Sequence, residues 1–137
     1  MQKFLHHFNV SSNRISKVKI DEYDIQSALK ESELLITDYS SVFFDFAYMV
    51  KPILFYQFDY DNFRKGQYAE GYYNYKDGLG EAVNDLDEIL NVLATSLENG
   101  NKISEKYKKR CEDFFTIRDS NNCKRIVEEL KNVMKEV

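Results

Sequence analysis

Residues 34–56 read LLITDYSSVFFDFAYMVKPILFY. At its two ends, Leu34-Leu35-Ile36-Thr37 and Pro52-Ile53-Leu54-Phe55-Tyr56 are short, continuous apolar runs rich in branched and aromatic residues, the pattern of strands covered on both faces. Ser41 to Met49, between them, has the length of a short helix. Strand, helix, strand in this order is a βαβ unit, which pairs its strands in parallel through a right-handed crossover. The fold class expected is therefore α/β with a parallel sheet. A third strand is expected at Lys17-Val18-Lys19-Ile20, followed by a helix over Asp24 to Glu31 with Ile25, Ala28 and Leu29 on one face.

Downstream of about Asn84 the pattern turns helical. Asp85 and Glu88 form a D-x-x-E cap, and Leu86, Ile89, Leu90, Leu93 and Leu97 recur at helical spacing up to a stop expected at Asn99-Gly100. A second helix places Ile103, Tyr107, Cys111 and Phe114 on one stripe; a third, capped by Asp119, aligns Cys123, Ile126, Val127, Leu130 and Met134. Both cysteines thus fall on apolar faces and are expected in the core, where a thiol behaves as a small hydrophobe. From Phe58 to Val83 the reading is mostly irregular, with Tyr60, Phe63, Tyr68, Tyr72, Tyr73 and Tyr75 set among glycines. So aromatic a loop is expected to be ordered, and a loop of this length to be functional.

Composition narrows the classes. A chain of 137 residues, 43% hydrophobic and 15% aromatic with only 5 Gly and 1 Pro, suits one core-bearing domain over residues 1–137 and excludes a disordered or collagenous chain. With 19 basic against 23 acidic residues and a net charge of -4, bulk electrostatics favours no nucleic acid partner, so any bound anion must be held by a local site. Two cysteines without a CxxC or HxxxH companion suit a reduced, cytosolic setting and no structural zinc. The greasiest run, Val42 to Val50, is broken by Asp45 and is too short to span a membrane, and the start MQKFLHHFNV lacks the order of a secretory signal.

The segment Thr37-Asp38-Tyr39-Ser40-Ser41-Val42 joins the carboxyl end of a strand to the amino end of a helix, where open α/β sheets bind ligands. Unpaired backbone N–H groups and the helix dipole favour an anion there. Ser40 and Ser41 either hold a phosphate or diphosphate, or Ser40 is simply the helix N-cap. Asp45, one turn beyond Ser41, either reaches a hydroxyl-bearing ligand or pairs with a protein cation, since an acid among Phe43, Phe44 and Phe46 is costly to bury alone. Asp38 either shapes the loop or faces the substrate. Asp59-Tyr60-Asp61 has the form of a metal-binding DxD, but such short motifs arise by chance, and the two acids are expected to cap a short helix containing Phe63 and Arg64. His6 and His7 are adjacent and cannot ligate together as an i, i+4 pair would. Lys106, Lys108, Lys109 and Arg110 form a solvated helix face that also suits anionic lipid.

The strings TDYSSVFFDFAYMVKPILFYQFD (37–59) and GYYNYKDGLG (71–80), with Phe114-Phe115 followed by DSNNCKRI (119–126), resemble the CDP-glycerol glycerophosphotransferase family of teichoic-acid and capsule polymer enzymes over nearly the whole chain. The resemblance implies one half of a GT-B fold: the Rossmann-like, nucleotide-binding carboxyl-terminal domain of a larger two-domain enzyme, with a helical carboxyl-terminal region. It implies that Ser40 and Ser41 bind the diphosphate of CDP-glycerol or a related CDP-polyol, that Asp45 contacts the donor's hydroxyls, and that Asp38 and Tyr39 belong to the same binding string. No catalytic residue, metal or cofactor is expected within this stretch. The acceptor, a lipid-linked polymer, would meet the full-length enzyme at the cytoplasmic face of the membrane.

Overall fold

The computed structural model describes residues 12–18, 24–66 and 73–135. Two compact units are distinguished, residues 1–32 and 33–137. In the first, helix α1 (Ile25–Glu31) starts where expected because Asp24 accepts hydrogen bonds from the backbone N–H groups of Gln26 and Ser27 at 3.1 and 3.2 Å. The Asp24 carboxyl is held below its ordinary range, first by the Ser27 hydroxyl. Lys17 and Val18 lie in no strand, and Lys19 and Ile20 fall outside the described residues.

The second unit is built on a three-stranded parallel sheet in the order β1 (Leu35–Thr37), β2 (Ile53–Tyr56), β3 (Glu81–Val83). Leu35 pairs with Ile53 and Leu54 with Glu81, so β2 is the central strand. Its alternation explains its unbroken apolar sequence. Phe55 points to helix α2 (Phe43–Tyr48) and meets Phe43 edge-on at 5.0 Å. Leu54 points the other way, into a cluster with Val83 and with Ile89 of helix α4 (Leu86–Glu98). Phe46, Phe55 and Cys111 are fully buried. Each of these phenylalanines contributes about 1.5–3 kcal/mol by leaving water.

The third strand of the sheet is therefore β3, inside the segment read as irregular. Three residues, Glu81-Ala82-Val83, are too few to carry an alternation that identifies a strand, and β3 exists because β2 offers it a free edge. Between β2 and β3 run helix α3 (Tyr60–Gly66) and a 3-10 turn at Tyr75–Asp77.

Helix α2 ends in a Schellman motif: the Val50 N–H donates to the Ala47 carbonyl at 2.9 Å and the Lys51 N–H to the Phe46 carbonyl at 3.3 Å. Val50 carries φ 56°, a conformation usually left to glycine. Helix α4 is capped by Asp85, which accepts from Asp87 and Glu88, and it stops as expected at Asn99-Gly100. Helices α5 (Glu105–Phe114) and α6 (Asn122–Val133) follow.

Two expectations fail there. Cys111 is buried but Cys123 is exposed, and Ile126, Val127 and Leu130 of α6, with Met134 at its C-cap, lie 48% or more exposed, so the stripe is amphipathic without being core. Asp119 does not cap α6 directly. It accepts from the Asn121 N–H at 2.8 Å and grips the Arg125 guanidinium at 2.9 and 3.0 Å, contacts that pull its carboxyl down to about 2.

Gly80 lies against β2: a Cβ there would sit 2.7 Å from the Ile53 Cβ and closer still to the Ile53 carbonyl oxygen. Gly80→Ala is expected to cost about 1–3 kcal/mol in denaturant unfolding, as overpacking does. Val50→Gly, relieving the left-handed strain of about 1–2 kcal/mol, should leave stability unchanged or raise it.

Candidate functional site

The loop Asp38–Val42 leaves the carboxyl end of β1 and enters α2, and the loop Gln57–Asp59 leaves the carboxyl end of β2 and enters α3. Because the strands are parallel, both loops emerge at the same edge, where α/β sheets place their ligands. A cleft of about 610 Å³ opens there. Asp38, Tyr39 and Ser41 form its β1 wall, Phe43 and Phe44 its helical wall, Phe58, Asp59 and Phe63 its β2 wall, and Tyr73 and Tyr75 the remaining side.

Tyr39 organises this cleft. Its ring stacks on Phe63 with centroids 3.6 Å apart and planes within 6°, and Tyr75 meets it edge-on at 6.1 Å. Its hydroxyl donates to Asp59 Oδ1 at 2.9 Å, joining the two strand-end loops. Burial, reinforced by the hydrogen bond to the Asp59 carboxylate, holds the Tyr39 phenol well above its ordinary range. Asp38 shapes the loop, its Oδ1 accepting from the Tyr39 N–H at 2.6 Å, and also lines the cleft.

Of the two serines, Ser41 lines the cleft and its hydroxyl has no hydrogen-bond partner among the described residues. Ser40 is exposed and outside the lining. It is not the N-cap either: α2 begins at Phe43 after Val42, and the Ser40 hydroxyl accepts from the Val42 N–H at 3.5 Å. The Asp45 side chain is exposed on the first turn of α2 and no cation pairs with it among the described residues, so the burial that would have demanded a partner does not arise. Asp45 does not line the cleft. The DxD acids do not cap α3 with their side chains as expected: Asp59 spends its carboxylate on Tyr39, and only its backbone carbonyl receives the Phe63 N–H at 2.9 Å. Among the described residues no group of three His, Cys, Asp or Glu could hold a metal. His6 and His7 lie outside the described residues.

The far wall depends on residues that the sequence does not single out for the site. The Tyr73 hydroxyl accepts from the Leu79 N–H at 2.9 Å, and Arg110 donates to the Gly78 carbonyl at 3.1 Å while its guanidinium lies 3.5 Å from Asp77. Arg110, expected on a solvated basic face, instead fastens the Gly78–Gly80 turn to α5. Lys108 and Lys109 pair along their own helix with Glu105 and Asp113 at 4.0 and 3.5 Å. The Tyr107 hydroxyl donates to Glu81 Oε2 at 2.5 Å, tying α5 to β3. Burial pushes the Tyr73 phenol up to about 12 and raises Tyr107 as well, the latter with help from Glu81.

These shifts set an alkaline limit. A phenol whose folded pKa is raised contributes stability below its unfolded value of 10.0, and that stability is lost as pH climbs toward the folded value. Unfolding free energy should therefore decline from about pH 10 upward. Tyr39→Phe should shrink the late-titrating tyrosinate absorbance and cost about 1 kcal/mol at neutral pH, the net value of one hydrogen bond.

Comparison with known proteins places this arrangement. The sequence profile described as CDP-Glycerol:Poly(glycerophosphate) glycerophosphotransferase matches residues 2–132. The minor teichoic acid biosynthesis protein GgaB of Bacillus subtilis is 34% identical over 102 residues, which are 74% of this chain and 11% of that protein. The teichoic acid poly(glycerol phosphate) polymerase of Bacillus spizizenii is 32% identical over 110 residues, 80% of this chain and 27% of its own length. A solved structure of the wall teichoic acid polymerase TagF superposes with a TM-score of 0.69 at 25% identity, covering 99% of this chain and 34% of that one. The chain thus spans about a quarter or less of the curated relatives it matches here. The expected fold, α/β on a parallel sheet and part of a GT-B type architecture, is borne out by the sheet and by this likeness. On the match across residues 2–132 and the shared fold, this chain belongs to the CDP-glycerol:poly(glycerophosphate) glycerophosphotransferase family.

Proposed function

We propose that residues 1–137 are the donor-binding part of a glycerophosphotransferase that passes glycerol phosphate from CDP-glycerol, or the corresponding unit of a related CDP-polyol, to a teichoic acid or capsular polymer. The observation that carries this reading is the cleft at the joint carboxyl ends of β1 and β2, with Ser41 on its wall and the Ser41 hydroxyl without a partner among the described residues. Membership of the family supports it.

Ser41 donates to the donor's diphosphate, which lies along the Asp38–Val42 loop. Ser40 contributes from the rim, and the exposed Asp45 carboxylate accepts from donor hydroxyls one turn further along α2. Asp38 and Tyr39 hold the loop in shape, with the Tyr39 face available to the ligand's apolar surface. In the reaction, a base outside this chain takes the proton from an acceptor hydroxyl, whose oxygen forms a bond to the β-phosphorus as the bond to the α-phosphate oxygen breaks. CMP departs with that bond's electron pair, and hydrogen-bond donors at the loop stabilise its charge. The polymer acceptor reaches the site through the rest of the enzyme, which associates peripherally with the cytoplasmic membrane face. Among the described residues no helix is long and apolar enough to cross a membrane.

Calorimetry with CDP-glycerol, CDP-ribitol and CDP tests the reading on the folded chain. Binding should weaken about 10- to 150-fold in Ser41→Ala, for the loss of a charge-assisted hydrogen bond of about 1.5–3 kcal/mol. Asp45→Asn should weaken CDP-glycerol binding to a smaller degree. Absence of binding at millimolar ligand in a folded sample would overturn the assignment.

A further inference from the structure

Gln57 is the first residue beyond β2 and, at 3% exposed, is buried, yet its side-chain Nε2 has no hydrogen-bond partner among the described residues. Its backbone is satisfied, the N–H donating to the Val83 carbonyl at 2.8 Å. An amide donor held this way is costly unless something outside the chain completes it. Gln57 lines two neighbouring clefts at the carboxyl ends of β2 and β3. One, of about 260 Å³, runs toward Glu81 and Lys106; the other, of about 380 Å³, runs toward Asp59 and Asp61. Asn84 and Tyr60 are common to both, and the second meets the Tyr39 cleft at Phe58 and Asp59. Both volumes far exceed the roughly 10–15 Å³ that one water needs.

The lining selects the ligand's chemistry. Glu81, Asp59 and Asp61 accept hydrogen bonds, Lys106 and Lys65 donate them, and the Gln57 Nε2 requires an acceptor. Asn84 offers both functions. A hydroxyl group donates and accepts, and so satisfies the carboxylates and the amide together. Because this region adjoins the place assigned to the diphosphate, we infer that Gln57, with Asn84, binds the hydroxyls of the polyol carried by the donor and is a specificity-determining residue for that polyol. This rests on the donor-binding reading above.

The test uses the isotope-labelled chain, with the Gln57 side-chain amide resonance assigned by its absence in Gln57→Leu. CDP-glycerol should shift that resonance, while CDP and CMP, which lack the polyol, should leave it in place. In calorimetry Gln57→Leu should bind CDP-glycerol about fivefold more weakly and CDP unchanged, and it should melt no lower than the parent, since it removes an unsatisfied donor. If CDP-glycerol binds without moving Gln57, or if CMP moves it equally because the base sits there, the inference is overturned while the donor-binding reading stands. If none of the three ligands binds the folded chain, both fall. Should Gln57→Leu fail to fold, Asn84→Ala supplies the affinity comparison, and the contrast between ligands on the parent chain, its Gln57 resonance then assigned by backbone-linked spectra, still decides.

Discussion

Burial of β2 on both faces is the constraint from which the rest follows. With helices over both faces of the sheet, Ile53, Leu54 and Phe55 of this central strand are buried and must each find apolar partners. Phe55 finds them in α2 and Leu54 in α4. Those two helices are thereby committed to opposite faces of the sheet. The same commitment brings the loops after β1 and β2 to one edge, and it leaves Gly80 as the residue that can lie against the Ile53 backbone.

The site edge is then stiffened by aromatic and tyrosine-hydroxyl contacts between segments far apart in sequence. Tyr39 bridges to Asp59 and stacks on Phe63; Tyr73 and Tyr75 close the opposite side; Arg110 and Tyr107 reach from α5 to the glycine turn and to β3. Phenols suit this task because their rings replace water while their hydroxyls meet polar partners at the boundary. Their raised pKa values express the same burial. Gln57 stands apart from this pattern, as a buried amide donor without a partner among the described residues, beside polar clefts.

Much of this was legible beforehand. The runs at residues 34–37 and 52–56 identified two parallel strands because continuous branched and aromatic residues have few other uses, and Asp24 and Asp85 marked helix starts because capping is a local interaction between neighbours. The segment Thr37 to Val42 is legible as a candidate site from its place between strand and helix. What the sequence does not reveal depends on distant partners. β3 is too short to announce itself, the apolar stripe of α6 is periodic but has little to pack on among the described residues, and Asp59 resembles a cap or a metal ligand until Tyr39 is seen beside it.

By itself the sequence determined the α/β class, the parallel pairing of β1 and β2 and the strand-to-helix loop, since each follows from periodicity or from contacts a few residues apart. Tertiary structure alone decided that Ser41 but not Ser40 or Asp45 lines the cleft, that Arg110 serves the glycine turn, and that Gln57 is buried with an unsatisfied amide. The physical reason is that burial and hydrogen-bond satisfaction belong to the assembled chain: whether a serine opens onto a cleft or an amide lacks a partner depends on which remote segment has come to lie beside it.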